Sequence, residues 1–600
     1  MVKGYAGKYL DVNLTDNTIK TFPVDMDLAK EMVGGLTYGL YMLWKRTKPG
    51  LNPLSPENLL FFNTGPISGL VGTSRGTVVF KSPLTELMGH AESGGHWIPE
   101  LKFAGYDGII ITGKAEEPAY LYVKDDQVDV KSAKQLWGMT TSQTEQALVE
   151  ELKDPFVQVI SIGPAGEHLC GEACIIHTGW HAFARTGGGC VMGSKNLKAI
   201  ALRGTKGFPG VADPDKCYEL LDKTITNTRS DALRQSLWRN RVFGSQASQV
   251  SAGDEGRGIF KNFNEGDHPT IIQLGSPRQM RRNRVWDSSC SFCPVGCLHL
   301  SVVRSGRFAG TWGQPDWDSS ANLTQQCLMF DLDGLVYLNA LCDDYGLDAE
   351  GVGGVVAWAM ECYEKGILTK DDLDGLELKW GDLGAEAKLI WKIIHREGIG
   401  DLLADGFKYF LPKVDKGSEK FAMQSKGIGF GGYQPWLFKE SYAVSNIGGH
   451  HNTDSPSSYI SNSLLYCVFA GGLMPQGFRS GADYYYALFN TVTGWNFERE
   501  DFDRLGMRGA TLGRAYNIRE GYGGVMPPSE ADIYPEKAYR LLTYGASKGK
   551  EYRREAFLAD RAKYYSNVGC DERGVPTKET LKKYGLEFMI KELEKAGAWS

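Results

Sequence analysis

From residue 1 to about 205 the chain is filled with short alternating or β-branched runs, and after Gly207-Phe208-Pro209-Gly210 apolar residues recur at helical spacing instead. That switch of period asks the first part to close as sheet and the rest as packed helices. The strand-like runs are Tyr9 to Leu14, Thr77 to Phe80, Gly108 to Gly113, Ala119 to Val123 and Val157 to Ile162, each punctuated by Gly or Pro. Pro214 to Thr226 and Leu335 to Tyr345 read as amphipathic helices. From about residue 420 a third region opens with Gly427-Ile428-Gly429-Phe430-Gly431-Gly432 and ends in further helices. The expected fold is α+β: a β-rich domain over 1–207, a mainly helical domain over 208–420 and a second one over 421–600. No internal repeat or low-complexity stretch interrupts this plan.

At 600 residues the chain exceeds one ordinary hydrophobic core, so it has room to enclose a large cofactor. Hydrophobic residues at 42% and charged residues at 23% predict folding throughout. A formal net charge of −6, with both signs interspersed, argues against a polyanion-binding surface and so against nucleic acid. A local basic patch for an acidic redox partner stays open. The start Met1-Val2-Lys3-Gly4-Tyr5-Ala6 lacks a signal-peptide pattern, and no apolar run approaches the roughly 18 residues of a membrane span. A cytoplasmic protein is expected.

Of twelve cysteines only Cys290, Cys293 and Cys297 are clustered, as C-x2-C-x3-C, which in a reducing compartment reads as metal or cluster ligation. Zinc, with His299 as a fourth ligand, and an iron-sulfur cluster both suit the knot. Gly94-Gly95 and Gly187-Gly188-Gly189 lie beside Arg75, Ser93 and Arg185, a composition that lets backbone amides approach an anion.

Several segments resemble the tungsten aldehyde:ferredoxin oxidoreductase family. They are Lys81-Ser82-Pro83-Leu84-Thr85, Ser93-Gly94-Gly95, Glu100 to Asp107, Ile162 to Glu167, Val191 to Ala199, the cysteine knot, Asp344 to Asp348 and Gly574 to Lys578. The likeness spans nearly the whole chain. It implies a tungsten or molybdenum ion held by two pyranopterins, Mg2+ bridging their phosphates, and one 4Fe-4S cluster. It implies Cys467 as the fourth cluster ligand with Cys290, Cys293 and Cys297. Arg75 would stand between pterin and cluster. Arg185, Thr186 and Gly187 would lie on the phosphate side, and Asp343, Leu347 and Asp348 would bind one pterin ring.

Departures from the family pattern are equally specific. Asn462 stands where the second pterin motif has an aspartate, and Glu92 replaces an amide before Ser93-Gly94-Gly95, which suits a carboxylate facing Mg2+. The family's dimer-bridging Glu-x-x-His is replaced by Tyr337-Leu338-Asn339-Ala340. Asp318, in Pro315-Asp316-Trp317-Asp318, and His451, in Gly448-Gly449-His450-His451, fall on the family's acid-base positions.

The resemblance therefore implies interconversion of a small aldehyde and its carboxylate. Electrons would leave for ferredoxin or an iron-sulfur partner subunit, in a homo- or hetero-oligomer. Gly94 to Glu100 and Pro576 to Leu581 are also similar to the tungsten subunit of class II benzoyl-CoA reductases, where a cysteine binds the metal. This chain has none between Pro315 and Ala321. A non-catalytic electron-transfer subunit is the alternative from another class.

Overall fold

The computed structural model describes residues 3–227, 241–242, 244–275, 281–451, 455–473, 477–522 and 527–599. Two six-stranded sheets come from the first third of the chain. One joins β1 (Lys8–Asn13), β2 (Thr18–Pro23), β3 (Leu60–Asn63), β4 (Gly76–Lys81), β5 (Met88–Ser93) and β6 (Gly108–Thr112), in the order β2-β1-β6-β3-β4-β5. The other joins β7 (Ala119–Lys124), β8 (Gln127–Ser132), β9 (Gln158–Ser161), β10 (Ile175–His177), β11 (His181–Phe183) and β12 (Leu197–Arg203), in the order β11-β10-β9-β12-β7-β8. Pairs β1–β6 and β7–β12 are parallel. The remaining strand pairs of both sheets are antiparallel.

Side-chain alternation explains the layering. Leu10, Val12, Ile109 and Ile111 of the first sheet share one core with Leu121, Ile160, Ile200 and Leu202 of the second. Tyr9 and Ile110 point the other way, into a core shared with the helix Gly35–Arg46 and the C-terminal helices. Both faces of β6 are thus covered, and that is why Ile109-Ile110-Ile111 is continuously apolar rather than alternating. On the outer face of the second sheet, Ala199 and Ala201 pack under Leu148 of the helix Thr141–Leu152.

Helices dominate beyond Arg203, as the fold class expected. The observed helices Pro214–Asn227 and Leu332–Tyr345 lie on the two predicted segments. The longest described helix, Arg499–Arg519, carries Gly506, Gly509 and Gly513 on one face. A Cβ at Gly506 would stand 2.3 Å from the Pro456 carbonyl oxygen, and one at Gly509 would stand 2.6 Å from Thr37 and Tyr459. Close packing of the helices Gly35–Arg46 and Pro456–Leu464 against this face therefore requires glycine. The same long helix reaches the site-bearing strands: Lys81 pairs with Glu520 at 2.5 Å, and the Met88 amide donates to Asn517 at 2.9 Å.

Candidate functional site

A cavity of about 350 Å³ opens where the sheets meet the helical part. Its wall takes residues from the end of β5, from the loop before β4, and from the turn between β10 and β11. It also takes them from the starts of the helices Trp317–Ser320 and Ala349–Glu364. Register sets the first of these: Gly76 pairs with Ser93, so Arg75 and Gly94 leave adjacent strand ends together.

All four cysteines of interest, Cys290, Cys293, Cys297 and Cys467, border this cavity. The Cys467 amide donates to the Gly72 carbonyl at 3.1 Å, and the Ser74 hydroxyl donates to the Ser291 carbonyl. The loop that carries Arg75 is thereby stitched to both cysteine segments. A Cβ on Gly94 would stand 2.8 Å from the Cys290 sulfur, so only glycine fits beside that thiol. Burial, then Cys467 and Cys293, push the Cys290 thiol up to about 12, so this thiol ionises readily only with a cation beside it.

Four thiolates on one zinc ion at ~2.3 Å would stand about 3.8 Å apart. Among the described residues, only Glu350, His450 and His451 bring three potential ligand atoms within 4.8 Å of one another. No three of the thiols come that close among the described residues. His299, the other zinc ligand considered, instead meets Asp287 at 3.0 Å.

The acid-base side of the cavity is a chain of charges. His451 Nε2 lies 3.4 Å from Asp318 Oδ1, and His451 Nδ1 lies 3.4 Å from Glu350 Oε1. Arg185 Nη1 stands 3.7 Å from the same Glu350 oxygen and 3.4 Å from Asp348 Oδ2. Arg185 also donates to the Gly429 carbonyl, which brings the Gly-rich loop into the wall.

Burial raises Asp318 to about 7, with His451 pulling it back and Asp316 and Glu350 adding to the rise. The carboxyl faces the cavity with 35% of its side chain accessible, so water there moderates the rise. Burial depresses His451, yet Asp318 and Glu350 outweigh it and hold the imidazole at about 9. Burial also works against Glu350, but Arg185 and His451 keep that carboxylate far below its usual range. With its oxygen already matched by a guanidinium and an imidazolium, the Glu350 trio is an ion-pair cluster and not a cation site.

Other sequence-derived residues fall as follows. Arg75, Glu92, Ser93, Gly94, Arg185, Asp343, Leu347 and Asp348 border the cavity; Gly95, Thr186, Gly187 and Asn462 do not. Glu92 accepts from Thr77 at 3.1 Å and meets His90 at 2.8 Å. Burial opposes its charge, but His90, Arg75 and His450 hold it at about 2. Asp348 caps the helix Ala349–Glu364 by accepting from the Glu350 amide, and burial raises Asp343 and Asp348. Thr186 donates to the His90 carbonyl at 3.0 Å, Gly187 packs on Gly171 and Pro83, and Asn462 is half-buried on the helix Pro456–Leu464.

Sequence reasoning missed Glu350, Cys174, Trp180 and His181 in the wall. Only Glu350 had a signal, its place two residues after Asp348 in the first turn of a helix. Four wall residues carry buried polar atoms with no hydrogen-bond partner, Trp180 Nε1, Arg185 Nε, Asp318 Oδ1 and His450 Nδ1, of which Asp318 Oδ1 and His450 Nδ1 have only a longer ion-pair neighbour. Buried polar atoms ordinarily find partners, so such a concentration fits a wall built around a polar, anionic occupant.

Residues 9–204 match the family model "Aldehyde ferredoxin oxidoreductase, N-terminal domain", and residues 221–460 and 456–586 match "Aldehyde ferredoxin oxidoreductase, domains 2 & 3". The tungsten-containing aldehyde ferredoxin oxidoreductase of Pyrococcus abyssi is 34% identical over 98% of this chain and 100% of its own. An aliphatic sulfonate oxidoreductase, WOR-like subunit, of Pyrococcus furiosus is 31% identical over 98% of each chain. A solved active-site complex BamBC of benzoyl coenzyme A reductase, with 1,5-dienoyl-CoA, superposes with TM-score 0.85 at 26% identity over 100% of both chains. Among the described residues no helix is long and apolar enough to cross a membrane. Matched over most of its length by both family models, this chain belongs to the aldehyde ferredoxin oxidoreductase family, a family of tungsten oxidoreductase enzymes.

Proposed function

We propose that the chain interconverts a small aldehyde and its carboxylate at a tungsten (or molybdenum) bis-pyranopterin, and passes the electrons through one 4Fe-4S cluster to ferredoxin or an iron-sulfur partner subunit. The observation that carries this is the single cavity that four cysteines share with the Asp318–His451–Glu350 chain and the unpartnered polar wall. Its donor set fits both groups. Cys290, Cys293, Cys297 and Cys467 would hold the cluster, and Arg75, Ser93, Gly94, Arg185, Asp343, Leu347 and Asp348 would border the pterins. Glu92, ionised and lining the cavity, would suit a Mg2+ ion bound with the cofactor.

When bound, the tungsten group supplies two-electron oxygen-transfer chemistry. The balance is RCHO plus H2O giving RCOOH, two electrons and two protons. The chain's part is the protons: Asp318, near neutral pKa, would take one at the carboxyl oxygen not turned to His451, and the charged His451 stabilises the carboxylate to which it returns. Phe292, Val468 and Phe469 beside the cluster cysteines are 54%, 55% and 48% exposed, so the cluster would lie close enough to the surface to hand electrons to a partner. Metal analysis with an aldehyde panel tests the reading: tungsten or molybdenum with aldehyde-dependent ferredoxin reduction supports it.

The likeness to the benzoyl-CoA reductase complex keeps reduction of an aryl-CoA thioester as a second reading. Dienoyl-CoA formation from benzoyl-CoA, without aldehyde turnover, would select it.

A further inference from the structure

We propose that Tyr485 donates its hydroxyl proton in a hydrogen bond to a sulfur at the Cys467 corner of the iron-sulfur cluster, and so raises the potential at which the cluster takes an electron. The inference rests on the cluster reading above. Tyr485 is fully buried, and among the described residues its hydroxyl has no hydrogen-bond partner. A buried phenol ordinarily finds one, so this hydroxyl is incomplete until something stands before it. Gly72 and Cys467 line the cavity and Tyr485 does not, so the hydroxyl approaches the sulfurs from behind the wall.

The start of a helix sets its direction. Tyr485 lies four residues after Gly481 in the helix Gly481–Thr493, so the two share one face, and helical side chains lean back toward the N-terminus. That end is pressed on the turn after Cys467. A Cβ on Gly481 would stand 2.6 Å from Gly471 Cα, and the Cys467 carbonyl accepts from the Ala470 and Gly471 amides at 3.0 and 3.2 Å. On the other side, a Cβ on Gly72 would come 2.5 Å from the Tyr485 hydroxyl oxygen and 2.9 Å from the Ala470 Cβ. Gly72 is also the residue whose carbonyl accepts from the Cys467 amide. The hydroxyl therefore ends between the loop of Arg75 and the turn of Cys467, in space that glycine at position 72 leaves open.

The ring is held in place. Tyr466 stacks on it with centroids 4.3 Å apart and planes 8° apart, and Tyr484 meets it edge-on at 5.0 Å. Cys293, Cys297 and Cys467 pack against the same aromatic core. After burial, Cys467 has the largest electrostatic effect on the hydroxyl, and Cys293 acts on it too, both disfavouring phenolate. The phenol keeps its proton and faces the thiolates as a donor. A hydrogen bond to a cluster sulfur stabilises the negative charge of the added electron and so favours the reduced cluster.

The test compares purified holoenzyme with Tyr485→Phe, which keeps the ring and its stack and loses only the hydroxyl. Iron per chain is measured, and the midpoint potential of the cluster is read by redox titration followed by electron paramagnetic resonance. Exchangeable protons coupled to the reduced cluster are read by electron-nuclear double resonance in H2O and D2O. Loss of one charge-assisted hydrogen bond predicts a roughly tenfold shift of the one-electron equilibrium toward the oxidised cluster, a midpoint about 59 mV lower, with iron content unchanged. One exchangeable-proton coupling should vanish with it. Tyr484→Phe is the control and should keep the wild-type potential, because Thr224 and Cys217, not the cluster cysteines, act on that hydroxyl.

An unchanged or raised midpoint in iron-replete Tyr485→Phe overturns the inference, and so does an equal shift in Tyr484→Phe, which would be a general effect of packing. Iron loss in Tyr485→Phe also overturns it, because the hydroxyl would then hold the packing and not tune the cluster. Wild-type protein that binds no cluster on reconstitution with iron and sulfide refutes the cluster reading itself.

Discussion

His451 stands between two carboxylates, its Nε2 3.4 Å from Asp318 and its Nδ1 3.4 Å from Glu350. Both ring nitrogens are thereby committed, and the imidazole is held charged beside a carboxyl poised near neutral pH. Asp318→Asn and His451→Asn should each lower kcat by about 100-fold, the usual scale for a positioned acid or base, with metal and cluster content unchanged. Near-normal rates in both variants with full cofactor would remove this pair from the chemistry.

Glu350→Gln tests the electrostatics directly. Glu350 raises both Asp318 and His451, so removing its charge should lower both pKa values and move both limbs of the pH–rate profile to lower pH. A shift toward higher pH would contradict the assigned sign. Glu350→Asp, which keeps the charge, should restore much of the wild-type profile.

The cysteine knot, the strand runs and the helix Leu332–Tyr345 were legible because each is local: a spacing, an alternation, a 3.6-residue period. Cys467 came only from resemblance, since nothing in Leu464-Leu465-Tyr466-Cys467 distinguishes a ligand from a core thiol. Arg185 was read as facing phosphate, but the structure also surrounds it with Asp348 and Glu350, partners more than a hundred residues away. Trp180 and His181 gave no signal either. Their place in the wall depends on how the turn between β10 and β11 packs, and no sequence pattern records that.

Cys467→Ser should abolish cluster absorbance as completely as Cys293→Ser, because three thiolates leave one cluster corner open to loss. Cys217→Ser, at a buried cysteine that does not line the cavity, is the control and should keep the cluster. Retention of full absorbance in Cys467→Ser would reassign the fourth ligand.

Gly94→Ala isolates the contact between pterin side and cluster side. Its Cβ would enter to 2.8 Å from the Cys290 sulfur, so that thiol must shift. Iron content should fall while the protein stays folded by circular dichroism. Unaltered iron and absorbance would mean that Cys290 is not held against this turn.

Arg75→Ala should slow reoxidation by ferredoxin and lower tungsten retention, since Arg75 borders the cavity and its charge acts on both Glu92 and Cys290. Arg75→Lys, which keeps the charge but not the planar fork, should recover only part of the loss. Unchanged tungsten content and reoxidation rate in Arg75→Ala would place this side chain outside the electron route.

The most direct measurement is elemental analysis of the anaerobically purified chain, paired with aldehyde-dependent reduction of ferredoxin. About one tungsten or molybdenum and about four irons per chain, with electrons delivered only when an aldehyde is present, is the predicted result. Iron without tungsten or molybdenum, or a fully loaded protein inert to every aldehyde, would contradict it.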